Sequence, residues 1–260
     1  MIDMYGSEVA VGDTVLYENS VFKTKNCGNF VVTKYYNSKE IYIKFIETGY
    51  ETVVELCQIK RGTVKDRLQP SVFGVGITGE YPVKENGILT KEYYVWHNML
   101  QRCYSSKLYI KRPTYKDCIV SENFKYFPYF KEWCNKQLGF ANEGWSLDKD
   151  ILLKGNKIYS EDTCCFVPNE INTLIINSKA LRGGTPVGVH CSKETGKYLA
   201  KLKKCSVRTH LGTFNTPEEA FYVYKREKEK YIKEVADKWK DHIDIRVYEA
   251  LMNYEVSIYD

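Results

Sequence analysis

The chain has 260 residues, of which 43% are hydrophobic and 27% charged, a composition typical of a folded protein of two or three small domains and unlike a disordered chain. The formal net charge is +5, from 38 basic and 33 acidic residues, so positive charge matters through its location and not through its total. No window approaches the roughly 20 apolar residues of a membrane span, and the N-terminus does not resemble a signal peptide. The sequence therefore predicts a cytoplasmic protein with no membrane partner.

The nine cysteines are odd in number and scattered, which predicts reduced thiols and not a disulfide framework. Five of them could in principle meet around a zinc ion: Cys103, Cys118, Cys134, Cys164 and Cys165. Free cysteine is among the most buried residue types, so packing is favoured over a zinc site.

The first segment, residues 1–75, is predicted to be a small β barrel. Short strands are expected at residues 14–17, 29–36, 40–46 and 50–56, because these stretches are rich in β-branched and aromatic residues and are separated by polar turns. The spacing resembles that of Tudor and KOW barrels. Such barrels bind nucleic acid or peptides, or serve as docking modules, so a protein partner is a possible use of this segment.

The second segment, residues 80–180, opens with a helical stripe. Trp96, Met99, Leu100 and Cys103 share one face of the predicted helix and are expected in the core. An aromatic run follows, consisting of Phe124, Tyr126, Phe127, Tyr129, Phe130 and Trp133. It could stack on bases, but aromatics at helical spacing more often fill a core, and that interpretation is favoured.

Carboxylate and amide side chains lie close together between residues 147 and 177. Asp148 and Asp150 are two residues apart, so on a strand they would share one face and could hold a divalent metal. Asn156 follows in a loop, a short apolar strand is expected at residues 164–167, and Asn172 lies on the helix after it. Two strands and a helix can bring a strand carboxylate and a helix amide to one metal ion, as nucleases need. Acids that flank a loop are also ordinary surface chemistry.

This order resembles the HNH endonucleases of phage introns, in which a strand with a D-H-x-D motif, a G-N-K loop and a strand with an aromatic-Val pair precede a helical Asn. The matching positions are Asp148, Gly155, Asn156, Lys157, Phe166, Val167 and Asn172. The resemblance implies that Asp148 and Asn172 bind Mg²⁺ or Mn²⁺. It covers about 30 residues and includes an insertion at residues 151–154.

The sequence departs from the HNH pattern where the general base is expected. Lys149 stands at the position of the family's catalytic His, and Thr163 where the family commonly has Asn. A protonated lysine cannot accept a proton from water, although a nearby metal or burial would lower its pKa. Either Lys149 acts as an unusual base, or it holds phosphate as a fixed charge while His97 serves as the base.

The third segment, residues 184–245, begins with three predicted strands at residues 187–191, 197–204 and 208–213. Apolar and basic residues alternate along the second strand, which predicts one apolar and one cationic face. Six basic residues and the single acid Glu194 give residues 186–215 a charge of +5. Such a face suits phosphate and base contacts, and the alternative is a merely solvated surface. A helix is expected after Thr216, which can cap it, with Pro217 in its first turn.

The third segment also resembles the plant ethylene-response (APETALA-type) DNA-binding domain, which occurs in phage homing endonucleases as well. The similarity is carried by Gly188 and Val189, by GKYLAKL from Gly196 and by HLGTFNTPEEAFYVY from His210. It implies that DNA is contacted by His190, Lys201, Lys203, Arg208 and His210. His210 replaces the family's usual Trp, and Lys201 an often acidic position, so a different DNA sequence is expected.

Together these patterns predict a multidomain α+β protein with an N-terminal barrel, a central HNH-like ββα core with helices, a C-terminal three-stranded sheet plus helix, and a tail helix in residues 246–260. The resemblances imply a phage-type homing endonuclease or nickase that binds double-stranded DNA inside an infected bacterium. The alternative is a catalytically degenerate DNA-binding regulator or recruitment protein, because Lys149 replaces the base.

Overall fold

A computed structural model describes residues 18–175, 184–205 and 207–260 of the chain. The fold is mixed α/β, with several small sheets and helices of varied length. The strand expected at residues 14–17 lies outside the described residues. No helix in the described ranges is long and apolar enough to span a membrane.

The chain divides into two compact units. One comprises Met1–Pro113 with Glu122–Lys131, and the other comprises Thr114–Ser121 with Glu132–Asp260. The first unit therefore holds the N-terminal sheet and the predicted helical stripe. The second unit holds the predicted metal ligands, Asp148 and Asn172, and the residues predicted to contact DNA.

An antiparallel four-stranded meander forms the N-terminal part of the first unit. Its strands are β1 (Val21–Lys23), β2 (Asn29–Asn37), β3 (Glu40–Phe45) and β4 (Glu51–Val54), in that spatial order. Alternate residues point to one face and are buried there, among them Phe30, Val32, Ile41, Ile43 and Phe45. Helix α1 (Leu56–Arg61) follows β4 and adds Ile59 to this core.

The prediction of a closed barrel is wrong for the described residues, because their sheet is open, with β1 and β4 at its edges. After β4 the chain continues into α1 and not into a strand that could close the sheet. The strands themselves are confirmed within one or two residues, except that β1, with three residues, was not predicted.

The remaining elements of the first unit are a small hairpin and short helices. They are β5 (Lys84–Glu85), β6 (Ile88–Leu89), α2 (Lys91–Tyr104), α3 (Ser106–Lys111), α4 (Glu122–Lys125) and α5 (Phe127–Lys136), the last of which continues into the second unit. A 3-10 turn lies at Pro113–Tyr115. The stripe of α2 is buried as predicted. Of the aromatic run, Phe124, Phe127 and Phe130 are buried, which confirms the core interpretation for these three.

The second unit contains the expected pair of strands and helix. Strand β8 (Trp145–Asp148) pairs antiparallel with β10 (Cys165–Pro168), and α6 (Asn169–Leu174) follows directly. A second pair, parallel and not predicted, joins β7 (Ile119–Val120) to β9 (Ile158–Tyr159).

The C-terminal part of the second unit is an antiparallel sheet covered by one long helix. The sheet consists of β11 (Val189–Cys191), β12 (Tyr198–Lys204) and β13 (Val207–Phe214), with β12 in the centre. Helix α7 (Pro217–Trp239) begins with a capping box between Thr216 and Glu219, and α8 (Ile245–Met252) follows it. All five elements were predicted.

One hydrophobic core joins the ββα element to this sheet and helix. It includes Ile151, Cys165, Val167, Ile171 and Leu174 from the first, Val189, Ala200 and Leu202 from the sheet, and Phe221, Ile232, Val235, Val247 and Leu251 from the helices. The segments predicted as separate domains, 80–180 and 184–245, thus contribute to one core in their described parts.

Candidate nucleic-acid interface

The outer face of the C-terminal sheet carries the five residues predicted to contact DNA, and we call it the basic face: His190, Lys201, Lys203, Arg208 and His210. All five are exposed. The register places Lys201 opposite His210 and Lys203 opposite Arg208, while His190 lies opposite Leu199. Because directly paired residues point to the same side of a sheet, the strands bring these side chains together on one surface.

The opposite face of the sheet explains why the basic residues point outwards. Ala200 and Leu202 are buried and alternate with Lys201 and Lys203 along β12. They pack in the core with Phe221 of α7. A shift of one residue would bury the lysines, so the register is fixed by the apolar side.

The positive charge of the basic face is not neutralised within the described ranges. No carboxylate there forms an ion pair with Lys201, Lys203 or Arg208, whereas Lys204 at the strand end pairs with Glu234 at 3.5 Å. Lys203 and Arg208 are directly opposite each other, and like charges in this position destabilise a sheet. The sheet therefore carries charge that its own stability does not require.

Gly188 allows helix α7 to pack close to the start of the sheet. Its φ of +75° is in the left-handed region, and a Cβ atom there would lie 2.1 Å from the Tyr224 ring. Any side chain at this position would push the helix from the sheet that it supports.

The second candidate site lies at the end of β8, and we call it the strand-end cluster: Asp148, Lys149, Asp150 and Asn156. Asp148 Oδ1 accepts hydrogen bonds from the backbone amides of Asp150 and Ile151, at 2.7 and 2.8 Å. Burial raises the pKa of Asp148, and these two amides partly oppose the shift. The strand ends at Asp148, so the expectation that Asp148 and Asp150 share a strand face is wrong.

Lys149 is enclosed by the cluster and is only 5% exposed. Its Nζ donates to Asp150 Oδ1 at 2.7 Å and to the Asn156 carbonyl at 2.6 Å, and it lies 5.7 Å from the centre of the Tyr159 ring. The ammonium is thus bound to a carboxylate, a carbonyl and an aromatic face. These contacts fix the position of Nζ and leave little space for a water molecule beside it.

Asn156 closes the loop of the cluster through its side chain. Its amide nitrogen donates to the carbonyls of Lys149 and Ile158, at 2.8 and 2.6 Å, and its amide oxygen accepts from the Ile158 amide. Thr163 adds a hydrogen bond to the same Ile158 carbonyl at 2.7 Å. The sequence placed Asn156 in a loop but gave no signal for this clamp, which depends on how the loop returns to its own start.

Asp148 and Asn172, the predicted metal ligands, both belong to the ββα element. Asn172 lies on α6 and is half-buried, and within the described residues the second oxygen of Asp148 accepts no hydrogen bond. Carboxylate and amide oxygens are ligand types of Mg²⁺, which keeps most of its water ligands when the protein supplies only one or two. In the same ranges no three His, Cys, Asp or Glu residues gather into a metal-binding group.

His97, the alternative base, lies on α2 in the first unit, whereas Asp148, Lys149 and Asn172 belong to the second. Its ring packs against Phe73 and Tyr93, with ring centres 5.0 and 6.0 Å apart. Its local role is therefore packing among aromatic side chains.

The five cysteines considered for zinc are buried, with Cys103 in the first unit and the other four in the second. Burial raises the pKa of Cys164 to about 12 and raises that of Cys165 as well. Both thiols are therefore held in the protonated form, which is a poor metal ligand.

No protein-family model, no curated protein and no solved structure matches this chain.

Proposed function

We propose that this chain is a double-stranded DNA-binding protein that contacts DNA through its basic face. The observation that carries the proposal is the cross-strand arrangement of Lys201 with His210 and of Lys203 with Arg208, all exposed and without carboxylate partners in the described ranges. Cations that are left unpaired on a regular surface attract phosphate and release counterions from DNA.

The shape of the surface supports duplex DNA as the ligand. A small sheet backed by a helix can enter the major groove, which is about 12 Å wide. Lysine and arginine can then contact phosphates or guanine edges, while His190 and His210 offer ring nitrogens that donate or accept hydrogen bonds. The resemblance to the ethylene-response domain leads to the same surface.

The test is a triple substitution of the cations, Lys201→Ala, Lys203→Ala and Arg208→Ala, with binding to duplex DNA measured by fluorescence anisotropy at several salt concentrations. The logarithm of the association constant falls with the logarithm of the salt concentration, and loss of three phosphate contacts should make this slope shallower by about 2.7. The matched control removes three exposed cations from α7, at Arg226, Lys230 and Lys233. An equal loss of DNA affinity in both variants would indicate general electrostatic attraction and would refute a specific role for the sheet.

A metal-dependent endonuclease or nickase is the second candidate, favoured by the order of β8, β10 and α6 and by the second oxygen of Asp148. Against present activity stands Lys149, whose ammonium is bound within the cluster. We therefore favour the degenerate form, a DNA-binding regulator or recruitment protein, over an active enzyme.

Supercoiled plasmid incubated with Mg²⁺ or Mn²⁺ separates these two candidates. Nicking by the wild type that disappears in Asp148→Asn would establish the nuclease. For the degenerate form we expect retardation of the plasmid without cleavage. Lys149→His then tests whether the absence of the histidine base alone prevents cleavage. Gain of nicking in this variant would show that the other residues of the ββα element can support the reaction.

A further inference from the structure

A polar cavity of about 510 Å³ lies in the second unit beside the basic face. Its lining comes from three elements: α6 with Glu170, the end of β12 with Lys201 and Lys203, and α7 with Lys228. Strand β11 pairs only with the first half of β12, from Tyr198 to Ala200, so the rest of β12 is free of a β11 partner where the cavity begins.

Lys228 is the unexplained group in this cavity. Its side chain is half-buried on α7. Its Nζ donates to the carbonyl of Leu174 at 2.6 Å, and no carboxylate in the described ranges forms an ion pair with it. A partly buried ammonium without a counter-charge carries a desolvation cost, so an anion would stabilise it.

The acid that borders the cavity is already neutralised. Glu170 Oε2 accepts from Lys238 Nζ at 2.6 Å and from the Trp239 indole at 2.8 Å. Lys201, Lys203 and Lys228 therefore leave the cavity with an excess of positive charge, continuous with that of the basic face.

We propose that this cavity is a phosphate site, in which Lys228 binds a backbone phosphate of the DNA whose bases face the sheet. The inference rests on the proposed function, because it takes the ligand to be the same duplex. A contact at this position would fix the register of the DNA on the sheet without reading its sequence. It would also link the DNA to α6 of the ββα element through the carbonyl that Lys228 holds.

The test compares Lys228→Gln with Lys230→Gln on the same helix. Glutamine at position 228 keeps an N–H donor while the charge is lost, and Lys230 is exposed and without an ion pair in the described ranges. For Lys228→Gln we expect roughly tenfold weaker duplex binding and a salt slope reduced by about 0.9, against a smaller change for Lys230→Gln. An unchanged slope in Lys228→Gln overturns the proposal.

A second measurement keeps the phosphate site distinguishable from the proposed function. Inorganic pyrophosphate is titrated against wild type and Lys228→Gln, with the melting temperature as the readout. Stabilisation of the wild type alone is expected. If it occurs while the wild type fails to bind duplex DNA, the DNA ligand and the proposed function are both refuted and the cavity takes a free phosphate compound. If pyrophosphate stabilises both proteins equally, Lys228 is not the ligand and the proposal fails whatever the DNA result.

Discussion

Two polar regions of the second unit, the basic face and the strand-end cluster, differ in what their side chains contact. On the basic face, Lys201, Lys203 and Arg208 are exposed and have no carboxylate partner within the described residues. In the strand-end cluster, Lys149 and Asn156 form their hydrogen bonds with neighbours in the same loop. The first region leaves its cations open to solvent, and the second holds its own loop together.

Burial is the physical cause of this difference. A polar group removed from water must find a partner in the protein, because an unsatisfied one costs about 1–3 kcal/mol. Exposed cations remain hydrated and need none. The comparison therefore predicts opposite consequences of substitution, with loss of stability in the strand-end cluster and loss of DNA affinity on the basic face.

The largest effect is expected for Asn156→Ala. The substitution removes hydrogen bonds to the carbonyls of Lys149 and Ile158 and from the Ile158 amide, so urea unfolding should show a loss of about 4 kcal/mol. Asn215→Ala, at an exposed position in the same unit, should stay within about 0.5 kcal/mol of the wild type. Duplex affinity, measured where both variants are folded, should not change. A fall in affinity with stability retained would place DNA at the cluster.

A pH-dependent effect of about 3 kcal/mol is expected from Lys228. Burial lowers its pKa to about 8 from an ordinary value of 10.5. Between these values the unfolded chain holds the proton that the folded protein has released, so the free energy of unfolding rises with pH. The rise should be absent in Lys228→Met and present in Lys230→Met, as measured by urea unfolding at pH 7.5 and 10.5. Parallel curves for all three proteins would mean that Lys228 is not desolvated.

Gly188→Ala tests whether the basic face depends on α7 for its shape. The new methyl group would meet the Tyr224 ring, and we expect a loss of about 2 kcal/mol beyond that of Gly196→Ala. Gly196 is the matched control because its φ of +66° is similar and no heavy atom lies within 4 Å of its Cβ position. Thermal unfolding of both variants gives the difference. Equal losses would show that backbone strain, and not the contact with Tyr224, is what the glycine avoids.

Local patterns in the sequence were enough to predict most of the C-terminal sheet and helix. Alternation along β12 predicted its two faces, and Thr216 with Pro217 predicted the start of α7. These signals are carried by residues close in sequence, which is why they need no knowledge of the tertiary structure.

The features that could not be predicted depend on contacts between distant residues. The parallel pair of β7 and β9 is two residues long and joins segments almost 40 residues apart. The partial burial of Lys228 depends on its contact with Leu174 of α6. The contacts of Lys149 depend on the loop that brings Asn156 back to the end of β8. The resemblance to HNH endonucleases therefore singled out Lys149 but could not show that its ammonium is enclosed.

The smallest of these effects distinguishes a structural aspartate from a metal ligand. Asp148→Ala removes the acceptor of two backbone amides and should cost about 1.5 kcal/mol, whereas Asp148→Asn keeps an acceptor oxygen. Burial raises the pKa of Asp148, so ionisation of this carboxyl group lowers the free energy of unfolding as pH rises through that pKa. Asp148→Asn should therefore match the wild type near pH 4 and be the more stable protein at pH 7, in thermal unfolding without metal. If added Mg²⁺ then stabilises the wild type and not Asp148→Asn, the strand-end cluster still binds metal; if it stabilises neither, Asp148 serves the loop alone.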